Sequence, residues 1–229
     1  LSLPAVDESE IYRHLDLDWV APELREDTGE ISAASSEALP RLIVPSDVKG
    51  ALHNHTTLSD GDATLEQMAD AARNIGWNWL GIADHSPTLK VANGASAEDL
   101  LDQGRQIKQY NEAWASEGTD FRLFHGVESD ILEGGKLDHP DDVLAELDYV
   151  VASVHAMSEW KNRDEVTNTE ELIRCIDHPA TNVLGHPTGR ILQGRDGYEV
   201  DMFAVIEHMA EHNAEAVSYT HLTLPTISR

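Results

Sequence analysis

The sequence predicts an α/β fold whose strands run parallel and curl into a barrel. Three observations carry this reading. Between Val48 and Val217, apolar strand-like runs alternate with amphipathic helical segments, the pattern of parallel strands joined by crossover helices. Five successive runs end in a residue able to bind a metal: His53 and His55, His85, Glu128, His155 and His186, spaced 27 to 43 residues apart, one βα unit each. An open doubly wound sheet would gather such residues at one reversal point, whereas a barrel brings the carboxyl ends of all its strands round one rim.

The elements follow in order. Residues 1–47 hold a short helical signal (Glu8 to Leu15), the proline-punctuated stretch Trp19 to Glu26, and a Ser/Ala-rich segment, Ile31 to Ala38, without a clean period. This region reads as a linker with a few apolar anchors, and a start at Leu1 instead of methionine reads as part of a longer protein. Val48 to His55 is the first strand. Thr64 and Gln67 form a capping box for a helix with Leu65, Met68, Ala72 and Ile75 on one face, stopped at Gly76. Trp79 to Ala83 is the second strand, ended by Asp84-His85-Ser86-Pro87. Ser96 with Asp99 opens a helix whose face is Leu100, Gly104, Ile107 and Trp114. Phe121 to Val127, Tyr149 to Val154 and Thr181 to Leu184 read as strands, with helices centred on Val143-Leu144 and on Leu172 to Ile176, the latter closed by Pro179. A last helix, Asp201 to His212, carries Met202, Val205, Ile206 and Met209, and Ala214 to Val217 starts a sixth strand. The final segment, 218–229, contains no acidic residue and reads as a non-native tail, so His221 is given no role.

Composition narrows the function. A chain of 229 residues, 41% hydrophobic and 25% charged, is that of a globular domain and excludes disordered or collagen-like sequence. No apolar run approaches the roughly 18 residues of a membrane span, and no secretory leader is visible. The single cysteine, Cys175, cannot form an internal disulfide, which fits a reducing cytoplasm, and a monomer is expected. Sixteen basic residues against 42 acidic ones leave a net charge of −26. Such a surface repels nucleic acid, so a DNA partner would need a local neutraliser such as bound metal. A salt-rich habitat would equally accommodate it.

The strand-end residues are the chemistry. Taken singly, a strand histidine is most often a packed core residue. Taken together, five imidazoles and a carboxylate buried without a cation would cost several kcal/mol in desolvation and repulsion. A metal cluster removes that cost. Imidazole and carboxylate ligands without paired cysteines favour zinc, manganese or iron over calcium or magnesium. Six candidates are too many for one tetrahedral ion, so two or three divalent ions are expected, with Glu128 bridging. Clustered ions suit phosphate-ester hydrolysis.

The segments His53 to Gly61 (HNHTTLSDG), Ala83 to Pro87, Gly126 to Asp130 (GVESD), Ser153-Val154-His155 and Gly185 to Arg190 (GHPTGR) resemble the polymerase and histidinol phosphatase (PHP) domain. Leu89 to Gly94, with Pro22 to Glu26 and Gly29 to Ile31 upstream, resembles more narrowly the C-terminal PHP region of bacterial family X DNA polymerases. The resemblance implies a distorted (βα)7 TIM-like barrel over 48–217, a trinuclear site, and a manganese-stimulated 3′-5′ exonuclease and phosphoesterase acting on DNA 3′ ends. By motif, His53 and His55 would hold one ion with Glu128, which would bridge to a second held by His155 and His186. His85, with Asp60, would hold the third, although Ser59-Asp60-Gly61 is also a turn sequence. Glu128, His155 and Arg190 would be catalytic. Lys90, Arg190 and Arg195 would contact phosphate or would be solvated loop cations. Asp84 would orient His85. His125, His139, His178, His208 and His212 match no ligand position and are expected at the surface or at helix ends.

The family's barrel ends in an Asp-x-His pair, and no such pair follows Val217. A C-terminally truncated barrel with an unclosed edge, short of ligands and of low activity, is therefore expected. Two other readings stand beside the exonuclease: a free-standing phosphatase on a small ester such as histidinol phosphate or a nucleotide, and a non-catalytic module bracing a polymerase.

Overall fold

The computed structural model describes residues 4–155, 157–191, 194–212 and 214–216. Contacts divide the chain into two compact units, one ending at Asp47 and the other beginning at Val48.

The first unit contains α1 (Glu8–His14), capped by the Asp7 side chain, and α2 (Glu30–Ser35). The second helix corrects the reading of the Ser/Ala segment as irregular. It lacks an apolar period, but the Glu30 carboxylate accepts from the backbone N–H of Asp27 and of Thr28, and Gly29 enters at φ 98°. These contacts order the turn that leads into the helix, a local feature that periodicity misses.

The second unit begins with β1 (Gly50–Asn54), α3 (Leu65–Asn74) and β2 (Trp79–His85). Then follow α4 (Ala97–Ser116), β3 (Arg122–Leu132), β4 (Lys136–Leu137), α5 (Asp141–Leu144) and β5 (Tyr149–Ser153). The last elements are α6 (Met157–Lys161), α7 (Glu165–Ile176), β6 (Val183–Gly185), α8 (Met202–His212) and β7 (Glu215–Ala216). Both capping boxes form: Thr64 with Gln67 starts α3, and Ser96 with Asp99 starts α4. Two elements, β4 and α6, and the early start of α7 depart from the sequence reading. β4 folds back antiparallel on β3 through Gly134 and Gly135, both at positive φ. α6 fills the gap after β5, and α7 begins well before Leu172 because Asp164 caps it by accepting from Thr167 N–H. Two apolar assignments are corrected: Ile75 is the C-cap of α3 and 64% exposed, and Ile206 lies 54% exposed on the outer side of α8.

Six strands pair in parallel in the order β1-β2-β3-β5-β6-β7. The order follows the chain without reversal, which is barrel winding and not the doubly wound arrangement. The sheet is strongly curled. On a flat sheet β1 and β6 would lie four strand spacings apart, about 19 Å, yet the rings of His53 and His186 at their ends are 5.9 Å apart. Among the described residues no ladder joins β7 to β1.

Period-two alternation sorts the strands into layers. Leu80, Ile82, Leu123, Val127, Val150, Ala152 and Leu184 face the helices and pack against Ala69, Ile107, Leu172, Val205 and others. Ala83, Tyr149, Val151 and Val183 face inward and form a small interior core. The interior is narrow: a Cβ on Gly126 would lie 2.5 Å from the Tyr149 ring, so glycine is needed there. Cys175 is wholly buried among the outer apolar residues, and burial pushes its thiol up to about 12, so it packs as an inert core group. No helix among the described residues is long and apolar enough to cross a membrane.

Candidate metal centre

Glu128 follows Phe124 and Gly126 in the inward-facing row of β3, and its side chain has no solvent exposure. Five imidazoles surround it. Oε1 lies 3.0 Å from His53 Nε2, 3.2 Å from His186 Nε2 and 3.4 Å from His155 Nε2, and accepts a 2.6 Å hydrogen bond from Ser153 Oγ. Oε2 lies 2.9 Å from His85 Nδ1 and 3.5 Å from His55 Nε2. The His55 and His85 rings stack at 4.3 Å, and their far nitrogens face Asp60 at 3.6 and 3.5 Å. The pair is thus held between two carboxylates.

The six side chains arrive from or just after five strands, His53 and His55 both at the end of β1, as barrel winding dictates. The backbone is forced at two of them. His53 has φ 64° and His186 φ 46°, left-handed conformations that non-glycine residues adopt at a cost of order 1–3 kcal/mol each. At β1 this accompanies a register shift between Ala51 and Asn54, where Asn54 Nδ2 donates to the carbonyls of Ala51 and Gly81. On β6, a Cβ at Gly185 would collide with Ser153 Oγ, so glycine there keeps Ser153 within reach of Glu128.

Electrostatics follow from this crowding. Burial works to raise the Glu128 carboxyl, but hydrogen bonds from the imidazoles, that of His155 foremost, hold it far below the ordinary carboxylate range. Burial also works to lower His155, but hydrogen bonds to Asp130 and Glu128 outweigh it and lift the ring to about 9. Burial, then repulsion from His85, pushes His55 down.

The donor set fits cations. Ligand atoms of His53, Glu128 and His186, and separately of His55, His85 and Glu128, lie within 4.8 Å of one another. The buried His55 Nδ1, His85 Nδ1 and Glu128 Oε2 have no hydrogen-bond partner. Although His85 Nδ1 is near Glu128 Oε2, the pair is misaligned for a hydrogen bond. Buried lone pairs left facing one another in this way are what a cation would satisfy. These groupings join His53 to His186 across the rim and His55 to His85, unlike the motif-based pairing of His53 with His55. His155 stands beside both, and Asp60 caps the second.

Other expected residues sit differently. The fully buried Asp84 does not touch His85. It accepts from Thr56 N–H and Oγ1, Ser59 Oγ and Gln103 Nε2, fastening the loop after His55 to β2 and α4. Lys90 and Arg190 are exposed with no ion pair among the described residues. Arg195 is committed: its guanidinium donates twice to the Gly189 carbonyl, at 2.9 and 3.1 Å, in a loop closed by the Ile191–Arg195 bridge. His125 and His139 are buried, contrary to the expected surface position. Gly104 of α4 makes room for the His125 ring, which a Cβ would approach to 2.6 Å. The 218–229 tail lies outside the described residues.

Two functional residues were missed. Asp130 Oδ1 accepts from His155 Nδ1 at 2.8 Å, and Ser153 donates to Glu128. Each lies two residues from a candidate ligand: Asp130 shares β3 and its inward face with Glu128, and Ser153 ends β5 two positions before His155.

Comparison with known proteins identifies the family. The chain is 40% identical over 200 residues to "DNA polymerase/3'-5' exonuclease PolX" of Bacillus subtilis, covering 87% of this chain but 34% of that protein. It is 31% identical over 165 residues to "Probable phosphatase CA_C0509" of Clostridium acetobutylicum, covering 71% of this chain and 60% of that protein. The chain therefore spans about a third of the first relative and three fifths of the second. A solved structure named "putative histidinol phosphatase hisK" from Listeria monocytogenes superposes with a TM-score of 0.48 at 15% identity, over 72% of this chain and 77% of that one. The family profile described as the PHP domain matches residues 51–223, from the first strand through the whole histidine-ringed rim, and the chain belongs to the PHP domain family.

Proposed function

We propose that this chain is a divalent-metal-dependent phosphoesterase that removes nucleotides from DNA 3′ ends, the 3′-5′ exonuclease module of a family X DNA polymerase. The observation that carries it is the single buried carboxylate of Glu128 encircled by five imidazoles. His53 and His186 would hold an ion at Oε1, and His55, His85 and Asp60 one at Oε2, with His155 completing the set. Manganese, zinc or iron suits these ligands. Bound metal supplies activated water and charge neutralisation at a phosphoryl group.

The chain's own residues do the rest. Asp130 fixes which His155 nitrogen faces the pocket, and Ser153 and the Asp84 network fix Glu128 and the His55–Asp60 loop. Arg190 and Lys90 are exposed cations free to meet phosphate oxygens. Arg195 is better assigned to shaping the loop that carries Arg190. Against a net charge of −26, DNA binding would depend on these cations and the metals. The likeness to PolX supports a DNA substrate, residues 1–47 then being the joint to an upstream polymerase region, and a cytoplasmic setting goes with this reading. The likeness to phosphatases supports a small phosphate monoester as the alternative.

Incubation of the manganese-loaded chain with a 3′-labelled oligonucleotide tests the proposal, and stepwise release of mononucleotides is expected. Hydrolysis of histidinol phosphate or a nucleotide without oligonucleotide trimming would favour the phosphatase. Bound metal with no hydrolysis of either would leave a structural module.

A further inference from the structure

A second cluster of metal-competent side chains lies away from the Glu128 centre. Asp177 is the C-cap of α7, just ahead of β6, while His208 and His212 occupy successive turns at the end of α8, just ahead of β7. All three are therefore at the amino ends of the strands, the mouth opposite the Glu128 rim. The two rings stack at 4.0 Å with 26° between their planes, and both aim Nε2 at one oxygen, Asp177 Oδ1, at 2.7 and 3.6 Å. His212 Nδ1 lies 2.8 Å from the His208 carbonyl, an acceptor only, so Nδ1 carries the proton. In the neutral ring Nε2 then presents a lone pair to a carboxylate oxygen. A proton on Nε2 or a bound cation would relieve that juxtaposition.

We propose that Asp177, His208 and His212 form a separate structural site for one borderline divalent cation such as zinc, clipping α8 to the end of α7. The spacings bracket the roughly 3.3 Å between ligands of a tetrahedral ion with bonds near 2.0 Å. The ligand atoms all lie within 4.8 Å of one another. A hydrogen bond holding the far nitrogen of a ligating imidazole is the usual support for such a ligand. The side chains are 50%, 21% and 43% exposed, so an ion can enter and water can fill the remaining position. Two imidazoles and one carboxylate select zinc, nickel or copper over magnesium or calcium. At the amino ends of the strands, away from the Glu128 rim, a bound ion would serve stability.

The test is zinc stoichiometry after equilibrium dialysis of the full chain, read by elemental analysis, with zinc-dependent thermal stabilisation as a second readout. The double variant His208→Gln/His212→Gln is expected to bind one equivalent less than the parent and to lose part of the zinc-induced rise in Tm. Asp177→Asn, which leaves α8 untouched, is expected to weaken that same equivalent at least tenfold. An unchanged zinc count and an unchanged rise in Tm in both variants would overturn the site and leave only a hydrogen-bonded helix contact.

Discussion

His155, just past the end of β5, and Asp130 on β3 form a dyad: the His155 Nδ1–H donates to Asp130 Oδ1 at 2.8 Å, leaving Nε2 turned toward Glu128 at 3.4 Å. The carboxylate thus chooses which imidazole nitrogen serves the centre. It also fixes the ring plane, because Asp130 is held on β3, paired with Ser153, two residues before His155.

Asp130→Asn should therefore act through His155 without touching any ion. Loss of such a supporting carboxylate costs about 10–100-fold in metal affinity, while the fold should persist. Metal titration followed by calorimetry, alongside the Tm of the metal-free variant, checks this. Unchanged affinity would mean that His155 needs no such anchor.

Glu128→Gln removes the one group common to both ligand clusters. Metal content should drop at both, and hydrolysis should fall about a thousandfold or more, since bound ions supply several kcal/mol of transition-state stabilisation. Elemental analysis and phosphoester turnover measure the two effects.

The metal-free chain should lose stability in alkaline solution. His155 is raised from 6.5 to about 9 in the fold. Its contribution is fully present below pH 6.5 and disappears as pH climbs through about 9. His55 is shifted the other way and acts below pH 6.5, where protonating it opposes folding. Urea unfolding of the chelator-treated chain at pH 6.5 and pH 9.5 should show a lower midpoint at the higher pH. Metal affinity should move oppositely, rising with pH as His155 gives up its proton.

Asp84→Ala would strand four buried donors, from Thr56, Ser59 and Gln103. A loss of about 3 kcal/mol or more is expected, since hydrogen bonds to a buried carboxylate are worth about 1.5–3 kcal/mol each and are not additive. The loop carrying His55 and Asp60 should loosen with it, lowering metal affinity as well. Denaturant midpoints and metal titration on the same variant report both.

The residues that converge on Glu128 were legible in the sequence because apolar strands ending in His or Glu have no packing explanation. The capping boxes at Thr64 and Ser96 were legible because they are local chemistry. Which ligands share an oxygen of Glu128 was not. That depends on the curl that brings His186 to His53, and no spacing encodes it. Asp84 was misread for a related reason: it precedes a ligand in the chain, yet strand alternation points it to the opposite face, toward Gln103. His125 looked superficial because the space for its ring is made by a glycine 21 positions earlier, at residue 104.

The left-handed backbone at His53 and His186 has an evolutionary edge to it. Glycine would relax either position, so a screen that rewarded heat tolerance alone would favour discarding these two imidazoles first. A descendant drifting toward robustness should therefore forfeit its chemistry at these corners well before its scaffold shows any change.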